Sequence, residues 1–591
     1  MIIYFSKNLN KEIVKKSSSG GFFSLLANYV IEKNGVVFGA IFDKDFNVVI
    51  SHTENDFSGM LGSKYVKSSI KNTFAECKDF LENGRTVLYS GTPCQIVGLK
   101  AYLKKDYDNL ITMDVICHGS PVAEIWQYYL KSFNKEIESI NFRDKRESWE
   151  QFHLTIKFKD GTEFSENHHK NKYMKLFLEN KILTEPCYKC QNCKNSKADF
   201  TVGDAWLAQF KDTRFNDHQG TSCVISRTAK SNVIFDKLKS KMLCETVNEI
   251  YLNKSIGYVH NYIKPNDSDK IKKSILSPKL AIVTIPGHEN VGNTLQAFAL
   301  QSKIKEILPK ADPIIINQKD TTHLLNFYKN NVKYSTGGFN SSYDGIVVGS
   351  DQIWNDANYD IIWNIPFDDR FLGKQCKKFV YAASFGKHIL NFTNEQLLKI
   401  QTNLKNVKYV STRELSGNII CKHYFKYNDS ISVLDPTMLW DKEYYLNKIN
   451  ENEITENSGI FKYVLDNNND WNNIVNQVSK TLNEPILSFN GSCEQFIENF
   501  NKAKCIVTDS YHGSVFSLIF NKPFICLRNK KRGNDRFDDL SIRFNIDNRF
   551  VESLNNFNID LLKEKPNCNS IIENYRKDSL DFLIKGLYQL Y

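Results

Sequence analysis

Long apolar segments are missing from this chain of 591 residues, although hydrophobic residues make up 41% of it. No run approaches the roughly 18 consecutive apolar residues that a membrane helix needs. Residues 1–16 alternate apolar with polar side chains and lack the apolar core of a signal peptide. We therefore expect a cytoplasmic protein with no membrane span.

The chain also lacks a strong excess of one charge and any repeat of fixed period. Lys and Arg exceed Asp and Glu by 77 − 67 = 10, and the longest basic cluster, at residues 530–532, has only three members. A nucleic-acid-binding protein would show a larger and more concentrated basic surface. With 41% hydrophobic and 24% charged residues, the composition also excludes a disordered or fibrous chain.

One polar segment, residues 264–279, contains two prolines and few large apolar residues, which is typical of a linker. It predicts a boundary between one domain at residues 1–263 and a second domain at residues 280–591. Short apolar runs that alternate with helical patterns indicate α/β folds on both sides. In the second domain, runs at residues 282–285, 345–348, 379–382, 431–434, 505–508 and 523–527 predict parallel strands in two Rossmann-like lobes.

Cysteines are unevenly spread, because eight of the 14 precede residue 250 and three of them form a Cys-x-x-Cys-x-x-Cys run. Thiolates of Cys187, Cys190 and Cys193 at this spacing favour an iron–sulfur cluster. A structural zinc site usually takes a second Cys-x-x-Cys pair, which the chain lacks. The fourth ligand must then come from elsewhere, and Cys94 and Cys117 both end predicted strands. A zinc knuckle or three ordinary thiols are the alternatives.

A serine loop, made of Ser17, Ser18, Ser19, Gly20 and Gly21, precedes a predicted helix. Hydroxyl groups and glycines at the start of a helix can present backbone amides to a phosphate. The simpler interpretation is an ordinary helix N-terminus.

Together with these two motifs, residues 61–66, 91–95, 114–121 and 187–206 resemble the coenzyme F(420) hydrogenase/dehydrogenase beta-subunit family over roughly residues 1–260. The resemblance implies a 4Fe–4S cluster beside a flavin, most simply FAD, with the serine loop and Lys64 holding flavin or substrate. The ferredoxin-like segment that often precedes this module is absent, so a separate ferredoxin-like electron donor is expected. The deazaflavin itself does not follow from the resemblance.

In the second half, polar residues follow the predicted strands. Asp351 follows residues 345–348, Arg413 follows 409–412, Asp435 follows 431–434, and His512 follows 505–508. The carboxyl ends of parallel strands face the ligand crevice, and a histidine at a helix N-terminus there can bind phosphate or act as an acid. A histidine that only caps its own helix is the alternative. The loop at residues 287–293 carries no dinucleotide or P-loop pattern.

Residues 290–301, 344–355, 411–414, 434–437 and 509–516 resemble the polysaccharide pyruvyl transferase family over roughly residues 280–550. The family implies a two-lobed fold similar to many glycosyltransferases, with phosphoenolpyruvate as donor, a sugar as acceptor and no metal. We expect His512 as acid or phosphate ligand and Arg413 and Arg536 as clamps on the donor. Asp435 and Asp351 would orient sugar hydroxyls, and Asn293 and Ser510 would contact substrate.

Ser510 departs from the family pattern, because many active members carry an arginine at that position. Loss of one charge-assisted pair to the donor would forfeit on the order of 1.5–3 kcal/mol. Another cation, such as Arg528, Arg532 or Arg536, would have to compensate.

The sequence thus predicts a bifunctional protein of surface polysaccharide biosynthesis, with a flavin and iron–sulfur oxidoreductase module fused to a pyruvyl transferase module. One alternative is an oxidoreductase whose C-terminal module only binds a glycan or nucleotide-sugar. In another, the cysteine cluster is structural and only the transferase is active.

Overall fold

The structure, a computed structural model, describes residues 1–192, 195–249, 263–285, 290–316, 325–335, 343–358, 376–387, 390–449, 458–466, 469–528, 533–552 and 558–590. The chain divides into two units, Met1–Lys273 and Ser274–Tyr591. In the described part of the chain, no helix is both long and apolar enough to cross a bilayer.

The first unit contains eleven described strands in two sheets. They are β1 (Ile2–Asn8), β2 (Val36–Phe42), β3 (Val48–Thr53), β4 (Val87–Gly91), β5 (Leu110–Val115), β6 (Ile137–Asp144), β7 (His153–Phe158), β8 (Glu163–Asn167), β9 (Phe200–Asp204), β10 (Ser222–Ser226) and β11 (Met242–Val247). Its described helices are α1 (Lys11–Lys16), α2 (Phe22–Ile31), α3 (Thr73–Glu82), α4 (Pro93–Leu103), α5 (Ala123–Lys131), α6 (Lys172–Leu178), α7 (Ala208–Lys211) and α8 (Ala229–Leu238).

An eight-stranded sheet with the order β11-β1-β10-β9-β5-β4-β2-β3 forms the centre of the first unit. Strands β2, β4, β5 and β9 run parallel, and the remaining neighbours pair antiparallel. Helix α2 packs its apolar side chains on this sheet, where Leu26 and Val30 are fully buried. Strands β6, β7 and β8 form a separate antiparallel sheet. The carboxyl ends of β4, β5 and β9 therefore meet at one edge, where a parallel sheet normally binds ligands.

Helix α9 (Ser268–Leu276) lies within the segment that the sequence indicated as a linker and spans the division between the units. Ser268 at its start bonds Tyr188 Oη at 2.9 Å and donates to the carbonyl of Lys181 at 3.0 Å. This stretch is therefore helical, because its polar residues alternate with Ile271 and Ile275 at helical spacing.

The second unit contains ten described strands in two parallel sheets. They are β12 (Lys279–Val283), β13 (Asp312–Ile315), β14 (Gly345–Val348), β15 (Lys377–Ala383), β16 (Val410–Thr412), β17 (Ile431–Ser432), β18 (Ile460–Tyr463), β19 (Cys505–Thr508), β20 (Phe524–Leu527) and β21 (Phe550–Val551). Its described helices after α9 are α10 (Val291–Ile307), α11 (Leu325–Asn331), α12 (Asn394–Leu404), α13 (Leu415–His423), α14 (Lys442–Leu446), α15 (Asn469–Leu482), α16 (Cys493–Lys502), α17 (Tyr511–Ile519), α18 (Asp535–Phe544) and α19 (Asn569–Gln589).

Six strands in the order β13-β12-β14-β15-β16-β17 form one sheet, and four in the order β18-β19-β20-β21 form the other. All described pairs in both are parallel. Strands such as β14 and β19 are entirely buried, which explains their unbroken apolar sequences. The predicted α/β class, with two Rossmann-like lobes in the C-terminal half, is confirmed.

Candidate functional sites

A cavity of about 530 Å³ lies at the carboxyl ends of β4, β5 and β9 in the first unit. Of the residues predicted to hold a cofactor, Ser17, Ser18, Ser19, Gly21 and Lys64 line it. The structure thus brings most of that predicted set to one concave site, although the members are far apart in sequence.

The serine loop is fixed by short contacts to neighbouring loops. Ser18 Oγ bonds Ser63 Oγ at 2.7 Å, and Ser19 Oγ bonds Ser222 Oγ at 2.9 Å. Gly20 does not line the cavity, and a Cβ there would lie 2.2 Å from the carbonyl oxygen of Ser6. Gly20 therefore permits the loop to pack against β1, which is a structural role that the sequence did not predict.

Lys64 lines the cavity from the loop at residues 61–64, where its Nζ donates to the carbonyls of Leu61 and Gly62 at 3.1 and 3.2 Å. Burial lowers the pKa of this lysine to about 8. Among the described residues it forms no ion pair, so its charge remains available to an anionic ligand.

Arg143 also lines the cavity, and the sequence analysis did not single it out. It donates to Asp204 Oδ2 at 3.1 Å and to Tyr65 Oη at 3.2 Å, and its guanidinium lies 4.2 Å from the centre of the Phe152 ring. The available signal was the stretch at residues 143–146, which lies at the end of β6 and contains three basic residues and one aspartate.

Two of the predicted cluster ligands lie on either side of one turn. The amide of Gly119 donates to Cys117 Sγ at 3.3 Å, and the amide of Ser120 donates to Cys187 Sγ at 3.2 Å. A Cβ on Gly119 would lie 3.5 Å from the Cβ of Cys187, so the turn approaches both cysteines closely. Cys117 also lines the cavity.

The other predicted ligands are placed differently. Cys94 is exposed in the first turn of α4, where its Sγ contacts Thr92 Oγ1 at 3.2 Å. Cys190 follows the 3-10 turn Glu185–Lys189, and Cys193 falls outside the described residues. Within the described ranges, no group of three or more His, Cys, Asp or Glu side chains is arranged to hold a metal ion.

In the second unit, the carboxyl ends of the two parallel sheets meet at a cluster of buried polar side chains, which is called the cleft here. Asp351 follows β14, Arg413 follows β16 and Asp435 follows β17. His512 lies in the first turn of α17, which follows β19 of the other sheet. Its imidazole lies next to the carboxylate of Asp435. The predicted strand-end residues therefore do converge.

Arg413 is the most fully paired residue of this cleft and is only 1% exposed. Its Nε donates to Glu414 Oε1 at 3.1 Å, Nη1 to Asp435 Oδ2 at 2.9 Å and Nη2 to Asp351 Oδ1 at 3.3 Å. The guanidinium also lies 4.3 Å from the centre of the Tyr511 ring. Three carboxylates and one ring therefore surround Arg413, and its role as a clamp on the donor stays a prediction.

His512 is buried beside Asp435, with 3.6 Å between Nε2 and Oδ2. Nε2 has no hydrogen-bond partner in the described part of the chain. The ring also lies against Gly292 at the start of α10, where a Cβ would come within 2.4 Å of Nδ1. The imidazole is thus fixed from two sides with one nitrogen available.

Asp435 and Asp351 are both held ionised. Burial acts to raise the pKa of Asp435, but His512, then Arg413 and the Thr437 amide, outweigh it and hold the pKa well below its usual range. For Asp351 the same burial is offset by Arg413, His512 and Arg536, so its pKa is also lowered.

Asn293 contacts this carboxylate pair from helix α10. Its Nδ2 donates to Asp351 Oδ2 at 3.1 Å, while its buried Oδ1 has no partner among the described residues. One acceptor of Asn293 is therefore left for a ligand.

Ser510 and the predicted compensating arginines are already engaged. Ser510 Oγ accepts from the amide of Gly513 at 3.3 Å and caps α17. Arg528 pairs with Asp538, with Asp547 at 2.7 Å and with Glu552 at 3.7 Å. Arg536 is buried and donates to Gln352 at 2.9 Å once that amide is oriented to accept, and Arg532 lies outside the described residues.

Three further residues of the cleft were not predicted as site residues: Glu414, Gln352 and Tyr511. Glu414 accepts from Ser384 Oγ at 2.6 Å, and burial, opposed by Arg413, raises its pKa. Tyr511 lies between Arg413 and Arg536, with the second guanidinium 5.6 Å from the ring centre. Only their position next to predicted residues in sequence could have indicated them.

Comparison with known proteins identifies two families. Residues 84–250 match the model of the coenzyme F(420) hydrogenase/dehydrogenase beta subunit, C terminus, and residues 290–531 match that of the polysaccharide pyruvyl transferases. No curated protein matches the chain.

Several solved structures are similar at low identity. The F(420)-reducing nickel–iron hydrogenase complex of Methanosarcina barkeri gives 17% identity over 46% of this chain and 90% of the other, with a TM-score of 0.31. A glycosyltransferase from Rickettsia africae gives 14% over 53% and 98%, with a TM-score of 0.32. UDP-GlcNAc 2-epimerase from Neisseria meningitidis gives 10% over 53% and 97%, with a TM-score of 0.31. The first half of the chain is thus similar to the coenzyme F(420) hydrogenase/dehydrogenase beta-subunit family and the second half to the polysaccharide pyruvyl transferase family, as the motifs predicted.

Proposed function

We propose that the second unit transfers pyruvate from phosphoenolpyruvate to a sugar, forming a cyclic ketal. The observation that carries this proposal is the pairing of a buried histidine, His512, with Asp435, whose pKa is lowered. A histidine so placed can hold a proton at Nε2 and deliver it to a ligand, while the carboxylate stabilises the charged ring.

Protonation of the methylene carbon of phosphoenolpyruvate gives a methyl group and makes C2 electrophilic. One sugar hydroxyl adds to C2 and a second displaces phosphate, so that two C–O bonds form, one C–O bond breaks, and the hydroxyl protons leave with water or phosphate. His512 supplies the first proton, and Asp351 and Asn293 orient the hydroxyl groups. Arg536, a buried cation that lies 5.6 Å from the centre of the Tyr511 ring, pairs with the donor anion. Arg413 acts through Asp351 and Asp435 by keeping both in position.

A direct test is the release of phosphate from phosphoenolpyruvate in the presence of a panel of pyranose acceptors. His512→Asn should reduce the rate by roughly 100-fold or more, as expected for loss of a general acid. The exposed His423→Asn, on α13, is the matched control and should turn over as the wild type does. Equal rates for the two variants would contradict the assignment of His512.

The second unit could instead bind a glycan or nucleotide-sugar without transfer. This alternative is favoured by Ser510, whose hydroxyl caps α17 where many transferases have an arginine, and by the full pairing of Arg413. Ser510→Arg separates the two functions in a calorimetric titration with phosphoenolpyruvate. Binding gained by this variant and absent from the wild type would favour the glycan-binding function, whereas binding already present in the wild type would favour transfer.

For the first unit we propose an oxidoreductase that holds a flavin in the 530 Å³ cavity and an iron–sulfur cluster at the cysteine run. The cavity fits the flavin in chemistry: Lys64 and the serine loop offer a cation and amides to phosphates, and apolar residues such as Phe177 and Met113 line the rest. When bound, a flavin and a cluster exchange two electrons and one electron respectively, which suits a separate ferredoxin-like donor.

The donors at the cysteine run partly fit a cluster. Amide donors to Cys117 Sγ and Cys187 Sγ are typical of cluster ligands, and they favour Cys117 over the exposed Cys94 as the fourth ligand. Iron, sulfide, zinc and flavin content of anaerobically purified protein tests this. About four irons and one flavin per chain are expected, with iron lost in Cys117→Ser and kept in Cys94→Ser. Zinc without flavin would contradict the oxidoreductase function.

A further inference from the structure

The carbonyl groups of the serine loop are bound by side chains from the end of β6 and from the segment that follows it. Arg143 Nη2 and Trp149 Nε1 both donate to the carbonyl of Ser18, at 3.3 and 3.0 Å. Lys145 Nζ donates to the carbonyl of Ser19 at 3.4 Å. Three donors from residues 143–149 therefore fix the direction of two consecutive peptide groups.

Lys145 joins the serine loop to two neighbouring segments, because its ammonium group also donates hydrogen bonds to them. It donates to the carbonyl of Val14 at 2.9 Å and to that of Gln219 at 2.5 Å. All three of its N–H donors are thus used on backbone carbonyls, and it ties the loop to α1 and to residue 219.

The amide groups of the loop have no such partners. Within the described residues, the N–H groups of Ser18, Ser19 and Gly21 donate to no protein atom, and helix α2 begins at the next residue, Phe22. Carbonyls bound on one side and unpaired amides before a helix N-terminus form an anion-binding arrangement.

An independent observation points to a ligand at the same place. Arg143 lines the cavity, is 5% exposed, and its Nε has no hydrogen-bond partner in the described part of the chain. A buried donor without a partner costs free energy unless a ligand supplies an acceptor. Lys64 adds a second cation that lines the same cavity.

We propose that Arg143, Lys145 and Trp149 are positioning residues that hold the serine loop in its anion-binding form for the phosphate end of the ligand in this cavity. The inference rests on the flavin-binding function proposed for the first unit and adds residues outside the motifs that indicated it. It also makes binding sensitive to the charge of Lys145.

The surroundings of Lys145 set the pH at which that charge is lost. Burial, together with Arg143 and Lys7, lowers the pKa of Lys145 to about 7, although Asp204 and Asp217 oppose the shift. Above this pH the group loses one donor and its positive charge, so the loop carbonyls are held less firmly. Lys64, with a pKa of about 8, contributes a separate step at higher pH.

The test is FAD binding, measured by quenching of flavin fluorescence, to full-length protein at about pH 6 and pH 8. We expect the affinity of the wild type to fall roughly tenfold between these values, as loss of one charge-assisted contact predicts. The Lys145→Met variant should bind FAD weakly at both pH values. The Lys145→Arg variant should bind FAD at both pH values, and its affinity should fall less between them, because arginine stays charged. Riboflavin, which has no phosphate, should bind all variants alike.

Lys159→Met is the matched control, since Lys159 is exposed and pairs only with Glu136 on the same small sheet. It should reproduce the wild-type profile. Unchanged FAD affinity and pH dependence in both Lys145 variants would overturn the inference while leaving flavin binding intact. If the Lys145→Met variant does not fold, the profile of Lys145→Arg decides. A wild type that binds neither FAD nor riboflavin would instead overturn the proposed function of the unit.

Discussion

Arg413 shows how a single buried residue organises the cleft of the second unit. One guanidinium is shared by Glu414, Asp435 and Asp351, which come from the ends of three different strands or their following turns. Such an arrangement is stable only when every charge keeps its partner, because an unpaired buried charge is strongly unfavourable. The residue therefore determines the geometry of groups that would contact substrate.

Replacing Arg413 with Met should destabilise the second unit by about 3–5 kcal/mol, since three buried carboxylates would lose their shared cation. Urea denaturation followed by tryptophan fluorescence measures this. Lys563→Met is the control, because Lys563 and its partner Asp560 are both exposed and such pairs contribute less than about 1 kcal/mol. A similar midpoint for the two variants would show that Arg413 does not organise the site.

Asp435 should also give the second unit a defined acid sensitivity. Its pKa is lowered in the folded protein, so its charge stabilises the fold above the ordinary value of 3.8, and this stabilisation is lost as pH falls through the lowered pKa. The pKa of Glu414 is raised in the folded protein, so this residue lowers the stability of the fold as pH rises above its ordinary value of 4.5. We expect the free energy of unfolding to fall below about pH 4 in the wild type and to fall less steeply in Asp435→Asn. Parallel curves for the two proteins would contradict this.

The sequence predicted which residues occupy the cleft but not how they pair. Strand ends followed by Asp351, Arg413, Asp435 and His512 were recognisable, because the carboxyl ends of parallel strands always share one edge. The pairing of Arg413 with Asp435 and Asp351 joins residues that are 22 and 62 positions apart in sequence. No local pattern records the distance between such residues, so the pairing could not be predicted, and the role of Arg413 as a clamp on the donor stays a prediction.

At the scale of the element, helix α10 meets helix α17 at a position that admits no side chain. Gly292 faces His512 there, and any Cβ would overlap the imidazole ring. These helices begin at Val291 and Tyr511. The caps Asn290 and Ser510 explain these starts, because each accepts a hydrogen bond from the first turn.

Gly292→Ala should displace His512. The resulting fall in the rate of phosphate release should be larger than the loss of folding stability alone would cause. Overpacking of this kind costs roughly 1–3 kcal/mol, while a shift of about 1 Å in a reacting group can cost on the order of 100-fold in rate. Gly59→Ala is the control, since a Cβ there meets only a methyl group at 3.7 Å. If the rate of phosphate release falls only in proportion to the fraction of unfolded Gly292→Ala protein, close packing against Gly292 does not position His512.

At the scale of the whole molecule, the chain has separate apolar cores in its two units. Residues such as Leu26 and Val224 form part of one core, and Val348 and Val410 form part of another. The division at residues 273 and 274 falls inside a helix, which the composition of that segment alone did not predict.

Two cores predict two thermal transitions, only one of which should respond to flavin. At a free FAD concentration of about 100 times Kd, that transition should gain roughly 2.7 kcal/mol of stability while the other stays unchanged. Differential scanning calorimetry with and without FAD measures this. A single transition, or two that shift together, would mean that the units unfold as one.

The 3.6 Å separation between His512 and Asp435 joins residues from different sheets, since one follows β19 and the other follows β17. The proposed proton donor and its counter-ion are therefore carried by different lobes of the unit. A sliding of one lobe against the other by about 0.5 Å would form a direct hydrogen bond between them. Such a bond would occupy Nε2, so the proposed acid would be able to protonate a ligand only while the two lobes keep the longer separation.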